Sequence, residues 1–296
     1  MAKIAFIFSG QGDQIPGMGK ALYDNYKVAT SIFDRCEQIR ANTINQCFCG
    51  TCEELAQTIN TQPCLFAMEM AAATVLKDKG IQPSFVAGFS LGEIIAATFS
   101  GLFDLETGFS LVCKRAEILE EASLTMEAEM AAVIKLSNED VEKLCLKFSN
   151  IYPVNYNCPG QITVSGLKSE MLEFYSEVKK EGGRAIPLKV SGPFHTPFLT
   201  QSAALFKQEI DKANMGSLKI PLYSNKTAQL YEPNKESDLL STQISSPVRW
   251  EAIIRDMLNK GVDTFIEIGP GKTLCNMVKK IDSTCKCFTY EQYLEG

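Results

Sequence analysis

The run Pro83-Ser84-Phe85-Val86-Ala87-Gly88 is a short apolar segment ending on glycine, and Phe89-Ser90-Leu91-Gly92 carries it directly into the helical pattern Leu91–Phe99. A strand, a sharp turn and a helix in such close succession leave a chain few folds. The strand must belong to a sheet, the turn must overhang its edge, and the helix must pack back on its face. The glycines of Gly88-Phe89-Ser90-Leu91-Gly92 suit that turn, because side chains at those positions would crowd it. A serine held there has strained backbone geometry, an exposed hydroxyl and a helix N-terminus behind it. G-x-S-x-G recurs by chance, and a helix N-cap serine is the plainer alternative. The flanking strand and helix favour a nucleophile.

Strand and helix alternate on either side of this turn. Lys3–Phe8 reads as a buried strand followed by the turn Ser9-Gly10-Gln11-Gly12-Asp13-Gln14, and helical periodicity runs through Tyr23–Ile39, Cys52–Ile59, Pro63–Lys79 and Glu106–Glu121. This is an α/β pattern with a mainly parallel sheet. The middle of the chain differs. Strand Met130–Leu136, helix Glu139–Phe148, strands Val154–Asn157 and Gln161–Ser165, helix Glu170–Glu181 and strand Arg184–Val190 give the β-α-β-β-α-β order of a ferredoxin-like lobe. Helix Phe198–Ala213, strand Leu218–Ser224, helix Val248–Lys260 and strand Thr264–Ile268 complete the pattern, without internal repeats.

Composition removes several classes of function. The net charge of −6 argues against a nucleic-acid binder, which needs clustered Lys and Arg to neutralise phosphates. The most apolar stretch, Ala87–Phe103, carries Ser90 and Glu93, so no membrane span is expected. The apolar part of the N-terminus, Ile4–Phe8, is too short for a signal peptide, and a soluble cytoplasmic chain is expected. The odd count of 11 cysteines then reads as reduced thiols used as small hydrophobes. A metal site at Cys47, Cys49 and Cys52 is disfavoured: no second pair stands at zinc spacing, and the only histidine is far away.

That histidine, His195, lies in the constrained loop Gly192-Pro193-Phe194-His195-Thr196-Pro197 at the exit of the inserted lobe. A serine hydroxyl needs a base near neutral pH, and this is the one imidazole available. A lone histidine is more often bland, but a rigid loop downstream of a nucleophile turn favours the base. The order Ser then His matches α/β-hydrolases, although no acid between them stands out as a third member.

Several motifs together carry a family resemblance. Gly10-Gln11-Gly12, Gly88–Gly92 followed by Glu93, and Pro193-Phe194-His195-Thr196-Pro197 resemble the malonyl-CoA:acyl carrier protein transacylases. So do Gln243-x-x-x-Pro247-Val248-Arg249-Trp250 and Glu267-Ile268-Gly269-Pro270-Gly271. The family includes the acyltransferase domains and stand-alone acyltransferases of polyketide synthases, and the motifs span residues 5 to 272 in family order.

The resemblance implies an α/β-hydrolase-like large subdomain, residues 1–126 and 193–296, with a ferredoxin-like small subdomain inserted at 127–192. It implies a ping-pong acyl transfer in fatty-acid or polyketide biosynthesis. Ser90 takes malonyl from malonyl-CoA, and the phosphopantetheine thiol of an acyl carrier protein collects it. His195 matches the family base, the backbone carbonyl of Gln243 its orienting group, and the N–H groups of Gln11 and Leu91 the oxyanion hole. Arg115 matches the arginine that grips the malonyl carboxylate. Leu111, Val112, Ile118 and Leu119 fill the positions where a helical acidic partner would stand, and a planar guanidinium suits a carboxylate. Phe194 fits the pattern that accompanies malonyl. No metal or organic cofactor is implied, and a monomer is expected.

Phe89 departs from the family, which usually has histidine before the nucleophile, and Asp13 replaces a serine in the N-terminal motif. An acyl hydrolase using the same Ser/His pair is the alternative enzyme, disfavoured by Arg115; a non-catalytic scaffold is disfavoured by Ser90, His195, Arg115 and Gln243 together. Lys179, Lys180, Arg184 and Lys189, or Lys272, Lys279 and Lys280, are candidates to meet an acidic carrier protein, with ordinary solvated lysines the preferred reading.

Overall fold

Ile4–Phe8 forms the first strand, β1, and alternates its side chains between two cores: Phe6 and Phe8 enter one, Ala5 and Ile7 the other. The computed structural model describes residues 3–188 and 192–295. After β1 come α1 (Lys20–Asn25), α2 (Lys27–Ile39), α3 (Thr43–Cys49), α4 (Cys52–Leu55) and α5 (Thr58–Asp78). Next are β2 (Phe85–Gly88), α6 (Leu91–Phe99) and α7 (Leu105–Leu124). The chain then enters β3 (Ala128–Ile134), α8 (Asn138–Cys145), β4 (Ile151–Cys158), β5 (Gln161–Leu167), α9 (Lys168–Lys180) and β6 (Arg184–Pro187). It continues through a 3-10 turn (Pro197–Leu199), α10 (Thr200–Lys212), α11 (Glu236–Gln243), α12 (Trp250–Asn259), β7 (Thr264–Ile268), α13 (Thr273–Ile281), β8 (Lys286–Thr289) and α14 (Tyr290–Glu295).

The fold class is the α/β one expected. One sheet has the order β2-β1-β7-β8 with every pair parallel. Helices cover both faces, so β1, β2 and β7 are almost continuously apolar. The second sheet has the order β4-β5-β3-β6 with every pair antiparallel, the ferredoxin-like arrangement, and Val133, Val164, Met171 and Phe174 fill its own core. The antiparallel sheet is tied by backbone to the segment just before α12. Tyr156 N donates to Val248 O at 2.9 Å, and Val248 N donates to Val154 O at 2.8 Å. The loops after β1, β2 and β7 all leave the carboxyl edge of the parallel sheet, where α/β proteins place ligands.

Several elements differ from the sequence expectation. The helix expected over Tyr23–Ile39 breaks at Tyr26, which is extended (φ −130°, ψ 113°). The Cys52–Ile59 helix stops at Leu55, and α5 begins at Thr58 with Pro63 inside it. The carbonyl of Ile59, which a residue with an N–H at position 63 would have satisfied, instead accepts from Arg40 Nη2 at 3.4 Å. Leu218–Ser224 is not a strand but makes two isolated bridges, a parallel one from Leu222 to Val86 on the outer side of β2 and an antiparallel one from Tyr223 to Leu230. Pro221 can only accept there, from Val86 N at 3.0 Å, which cuts the ladder short. Lys189 and Val190 of the expected strand Arg184–Val190, and Ser191 after them, lie outside the described residues.

The expectation that all cysteines are free thiols fails at one pair. Cys275 on α13 and Cys287 on β8 form a disulfide with Cα atoms 5.4 Å apart. They are twelve residues apart, and only the packing of α13 against β8 brings them together. Among the described residues, no cluster of three or more metal-ligating side chains occurs, and no helix is long and apolar enough to cross a membrane.

Candidate active site

The turn between β2 and α6 is as tight as its glycines suggest. A Cβ on Gly88 would lie 1.8 Å from the Gly92 carbonyl carbon, and one on Gly92 would lie 2.4 Å from Phe8 O. Ser90 sits at φ 51°, ψ −103°, outside the favourable regions for an L-residue. His195 also has positive φ, 62°. Such geometry costs on the order of 1–3 kcal/mol per residue and persists only where surroundings enforce it. For Ser90 the enforcing group is Asn225. Its Oδ1 accepts from Ser90 N at 2.8 Å, and its Nδ2 donates to Gly88 O at 2.6 Å.

Ser90 Oγ and His195 Nε2 are 2.7 Å apart. On the far side of the ring, Nδ1 faces the carbonyl oxygens of Gln243 at 3.0 Å and Ser246 at 3.1 Å. Carbonyls only accept, so Nδ1 carries the proton and Nε2 presents its lone pair to the serine. His195 is 4% exposed. Burial, then the nearby Arg115 charge, pull its pKa down to about 4, against the two carbonyls that raise it. The ring is a neutral base throughout the physiological range. No carboxylate completes a triad here; backbone carbonyls orient the imidazole, and Ser246 joins Gln243 in a role that no sequence pattern signalled.

Arg115 reaches the same point from α7 and is 3% exposed. Its Nη1 donates to Gln62 Oε1 at 2.8 Å, and its Nη2 donates to Gln243 Oε1 at 3.2 Å and Ser90 Oγ at 3.3 Å. Burial lowers its pKa to about 10, with Glu93 raising it, so it stays cationic at neutral pH. Glu93 is wholly buried on the first turn of α6. Burial pushes its carboxyl up to about 7, while hydrogen bonds from Tyr231, Gln243 and Asn225 and the charge of Arg115 pull it down. Gln62, Asn225 and Tyr231 carried no sequence signal; each lies far along the chain and comes close only in the fold.

A cavity of about 510 Å³ opens between the two sheets. Ser90, His195, Arg115, Phe89, Phe194, Gln11 and Leu91 all line it. Leu91 is the first residue of α6, so its N–H has no intrahelical acceptor. Gln11 turns its side chain away, donating from Nε2 to Thr58 Oγ1 at 3.2 Å. Gln243 stands behind Ser90, its Nε2 donating to Ser90 O at 2.5 Å. Phe89 packs edge-on to Trp250, with ring centroids 5.5 Å apart, and supplies apolar surface where a histidine would supply a polar ring. Asp13, the second departure, accepts from Thr273 Oγ1 at 2.5 Å and ties the loop after β1 to the start of α13. On the small-lobe side, Asn155 and Asn157 of β4 line the cavity with buried Oδ1 atoms that have no partner among the described residues. Of the basic candidates for docking, Lys180 pairs with Glu177 at 2.6 Å and Lys280 bonds Gln161 at 3.1 Å, while Lys189 lies outside the described residues.

Comparison with known proteins places the chain in a family. The acyl transferase domain family matches residues 5–286. The chain is 38% identical over 294 residues to the malonyl CoA-acyl carrier protein transacylase of Bacillus subtilis, covering 97% of this chain and 92% of that protein. The crystal structure of the corresponding transacylase from Clostridium perfringens superposes with a TM-score of 0.95 at 34% identity, covering 99% of this chain and 96% of that one. A malonyl-transacylase solved in complex with its type II polyketide synthase acyl-carrier protein superposes with a TM-score of 0.92 at 29% identity, covering 97% of this chain and 95% of that one. A serine on a strained strand–helix turn, a desolvated imidazole and a buried guanidinium thus stand on a fold shared over essentially the full length of these relatives, and the chain belongs to the malonyl CoA-acyl carrier protein transacylase family of acyl transferases.

Proposed function

We propose that this enzyme transfers malonyl from malonyl-CoA to the phosphopantetheine thiol of an acyl carrier protein through a malonyl-Ser90 ester. The observation that carries the reading is the buried Arg115 cation 3.3 Å from the Ser90 hydroxyl, beside a base that is already neutral. Ser90 Oγ attacks the thioester carbonyl carbon while its proton passes to His195 Nε2. The oxyanion forms against the N–H groups of Gln11 and Leu91, where losing one such donor typically slows reaction about 10²–10³-fold. The C–S bond then breaks, and His195 returns the proton to the departing CoA thiolate. In the second half, His195 takes the proton of the carrier thiol, the thiolate attacks the ester, and the proton goes back to Ser90.

Arg115 receives the malonyl carboxylate. Its Nη2 contact with Ser90 Oγ is the one an incoming acyl group replaces. Each step uses protein side chains and backbone alone, and we assign no metal or organic cofactor. We place the enzyme in the cytoplasm as a monomer, its small lobe spanning residues 127–192. Hydrolysis is disfavoured because a proofreading hydrolase has no use for a carboxylate clamp. Incubation with radiolabelled malonyl-CoA and peptide mapping test the reading. Label on Ser90 that chases to carrier protein is expected. Free malonate would identify a hydrolase, and label on a cysteine would remove Ser90 from its role.

A further inference from the structure

Glu93 is a wholly buried acid that the transfer chemistry above leaves without a task. Its position, three residues after Ser90, is where a glutamate would normally cap the helix by accepting from the serine N–H. That N–H is already taken by Asn225 Oδ1 at 2.8 Å. The carboxylate turns to other partners instead. Oε1 accepts from Tyr231 Oη at 2.6 Å and Asn225 N at 3.2 Å, and Oε2 accepts from Gln243 Nε2 at 3.0 Å. Each of these partners donates, so the site fits an ionised carboxylate, which only accepts.

The consequence runs through the Gln243 amide. Its Nε2 has two hydrogens, one pointing to Glu93 Oε2 and one to Ser90 O at 2.5 Å. With the nitrogen so placed, Oε1 faces Arg115 Nη2 at 3.2 Å. Glu93 and Ser90 O together set which way the amide points, and the amide gives the guanidinium one of its three acceptors. Glu93 is also the acidic group whose charge bears on buried Arg115.

We propose that Glu93 is a positioning residue for acyl selection: acting through Gln243, it holds the Arg115 cation in place, and so sets the preference for carboxylated over uncharged acyl groups. This rests on the malonyl transfer proposed above. Replacing Glu93 by glutamine makes the dependence visible. A glutamine oxygen can serve Tyr231 and Asn225, but its NH₂ then opposes the NH₂ of Gln243. If Gln243 flips to relieve that, its NH₂ faces the guanidinium and its oxygen faces Ser90 O. The reverse orientation of the new amide opposes Asn225 N–H instead. In the flipped state Arg115 Nη2 loses its Gln243 acceptor and meets an NH₂ there instead, Nη1 keeps Gln62, and Ser90 and His195 keep their side-chain atoms.

The test compares wild type, Glu93→Gln and Gln243→Met at about pH 8, where the carboxylate is ionised. Two quantities are read: kcat/KM for malonyl-CoA over that for acetyl-CoA, and the rate at which an uncharged fluorophosphonate labels Ser90. In Glu93→Gln, malonyl transfer should fall at least about tenfold more than acetyl transfer and labelling, chiefly through KM, the weight of one charge-assisted hydrogen bond. Gln243→Met cuts the relay together with the bond to Ser90 O, so its absolute rates fall in every assay; its malonyl-to-acetyl ratio should drop as in Glu93→Gln, and that ratio carries the test if Glu93→Gln does not fold. Equal losses in every readout, or an unchanged malonyl-to-acetyl ratio in a folded variant, overturn the proposal. Failure of the wild type to transfer malonyl would instead overturn the function on which it rests.

Discussion

Reaction at Ser90 should remain fast well into the acid range, with a limb near pH 4 instead of near 6.5. His195 acts as a base only while Nε2 keeps its lone pair, and burial together with Arg115 moves its pKa from 6.5 to about 4. At about pH 5.5, roughly 97% of such an imidazole is neutral, against roughly 9% of an unperturbed one, so the two cases differ about tenfold in rate. An uncharged fluorophosphonate is the suitable probe. It reports the serine and its base, whereas malonyl-CoA also senses Arg115 and through it Glu93, whose carboxyl titrates near 7. The labelling rate, followed by mass spectrometry between about pH 4.5 and 8, should stay within about twofold of its plateau. His195→Ala should be slower by about 10²–10⁴ and lose the limb. A half-maximal rate near pH 6.5 in the wild type would refute the reasoning, since it would mean that water reaches and solvates the imidazole.

The same shift acts on stability. The unfolded imidazole takes its proton near 6.5 and the folded one only near 4, so the His195 contribution is full above 6.5 and is lost as pH falls toward 4. At about 1.36 kcal/mol per pH unit, the loss reaches about 3 kcal/mol. Glu93 and Glu267, both raised by burial to about 7 from 4.5, work in the opposite sense. Their contribution is full below 4.5 and is lost as pH rises through 7. Urea unfolding of wild type and His195→Ala at both ends of the window isolates the histidine part.

Arg115→Ala should depress malonyl transfer by about two to four decades, the effect of leaving a buried carboxylate without its cation, while acetyl transfer is retained or rises; equal losses for both acyl groups would make Arg115 merely structural. Asn225→Ala strands Ser90 N–H and Gly88 O in the interior. It should destabilise the fold by about 1–3 kcal/mol per stranded group in urea titrations, and it should slow Ser90 labelling because the turn loses its brace. Phe89→His should raise the preference for malonyl over acetyl by no more than about tenfold, the reach of a single hydrogen bond. A many-decade activation of an inert wild type would mark this chain as a degenerate relative and end the transferase reading.

Local sequence fixes whatever depends on short-range sterics and periodicity. The helix Leu91–Phe99 and the strand Thr264–Ile268 are found at the bounds that pattern alone assigns, because glycine, β-branched residues and apolar spacing act within a few residues. The β-α-β-β-α-β order of the small lobe is equally legible, although β4 and β5 run longer than expected and β3 lies two residues earlier. Ser90 and His195 stand out as candidates because a serine on a glycine turn and a lone histidine are chemically marked in their settings, whereas Arg115 stands out only through the family resemblance. Their convergence was not readable from local pattern. Ser90 and His195 are 105 positions apart, and their 2.7 Å contact exists because β2 and the 193–197 loop end at the same edge of the fold.

Only the tertiary structure decides the supporting polar network. Gln62, Asn225, Tyr231 and Ser246 are ordinary residues in ordinary local sequence, and nothing nearby demands them. Burial creates the demand. A carboxylate and a guanidinium removed from water must find donors, acceptors and a counter-charge wherever the packed chain can supply them. The Cys275–Cys287 disulfide has the same origin, since the packing of α13 against β8 sets the distance between residues that the sequence leaves as separate small hydrophobes. Sequence chose the reactive groups; folding set their protonation states, because desolvation is a property of the assembled interior and not of any segment within it.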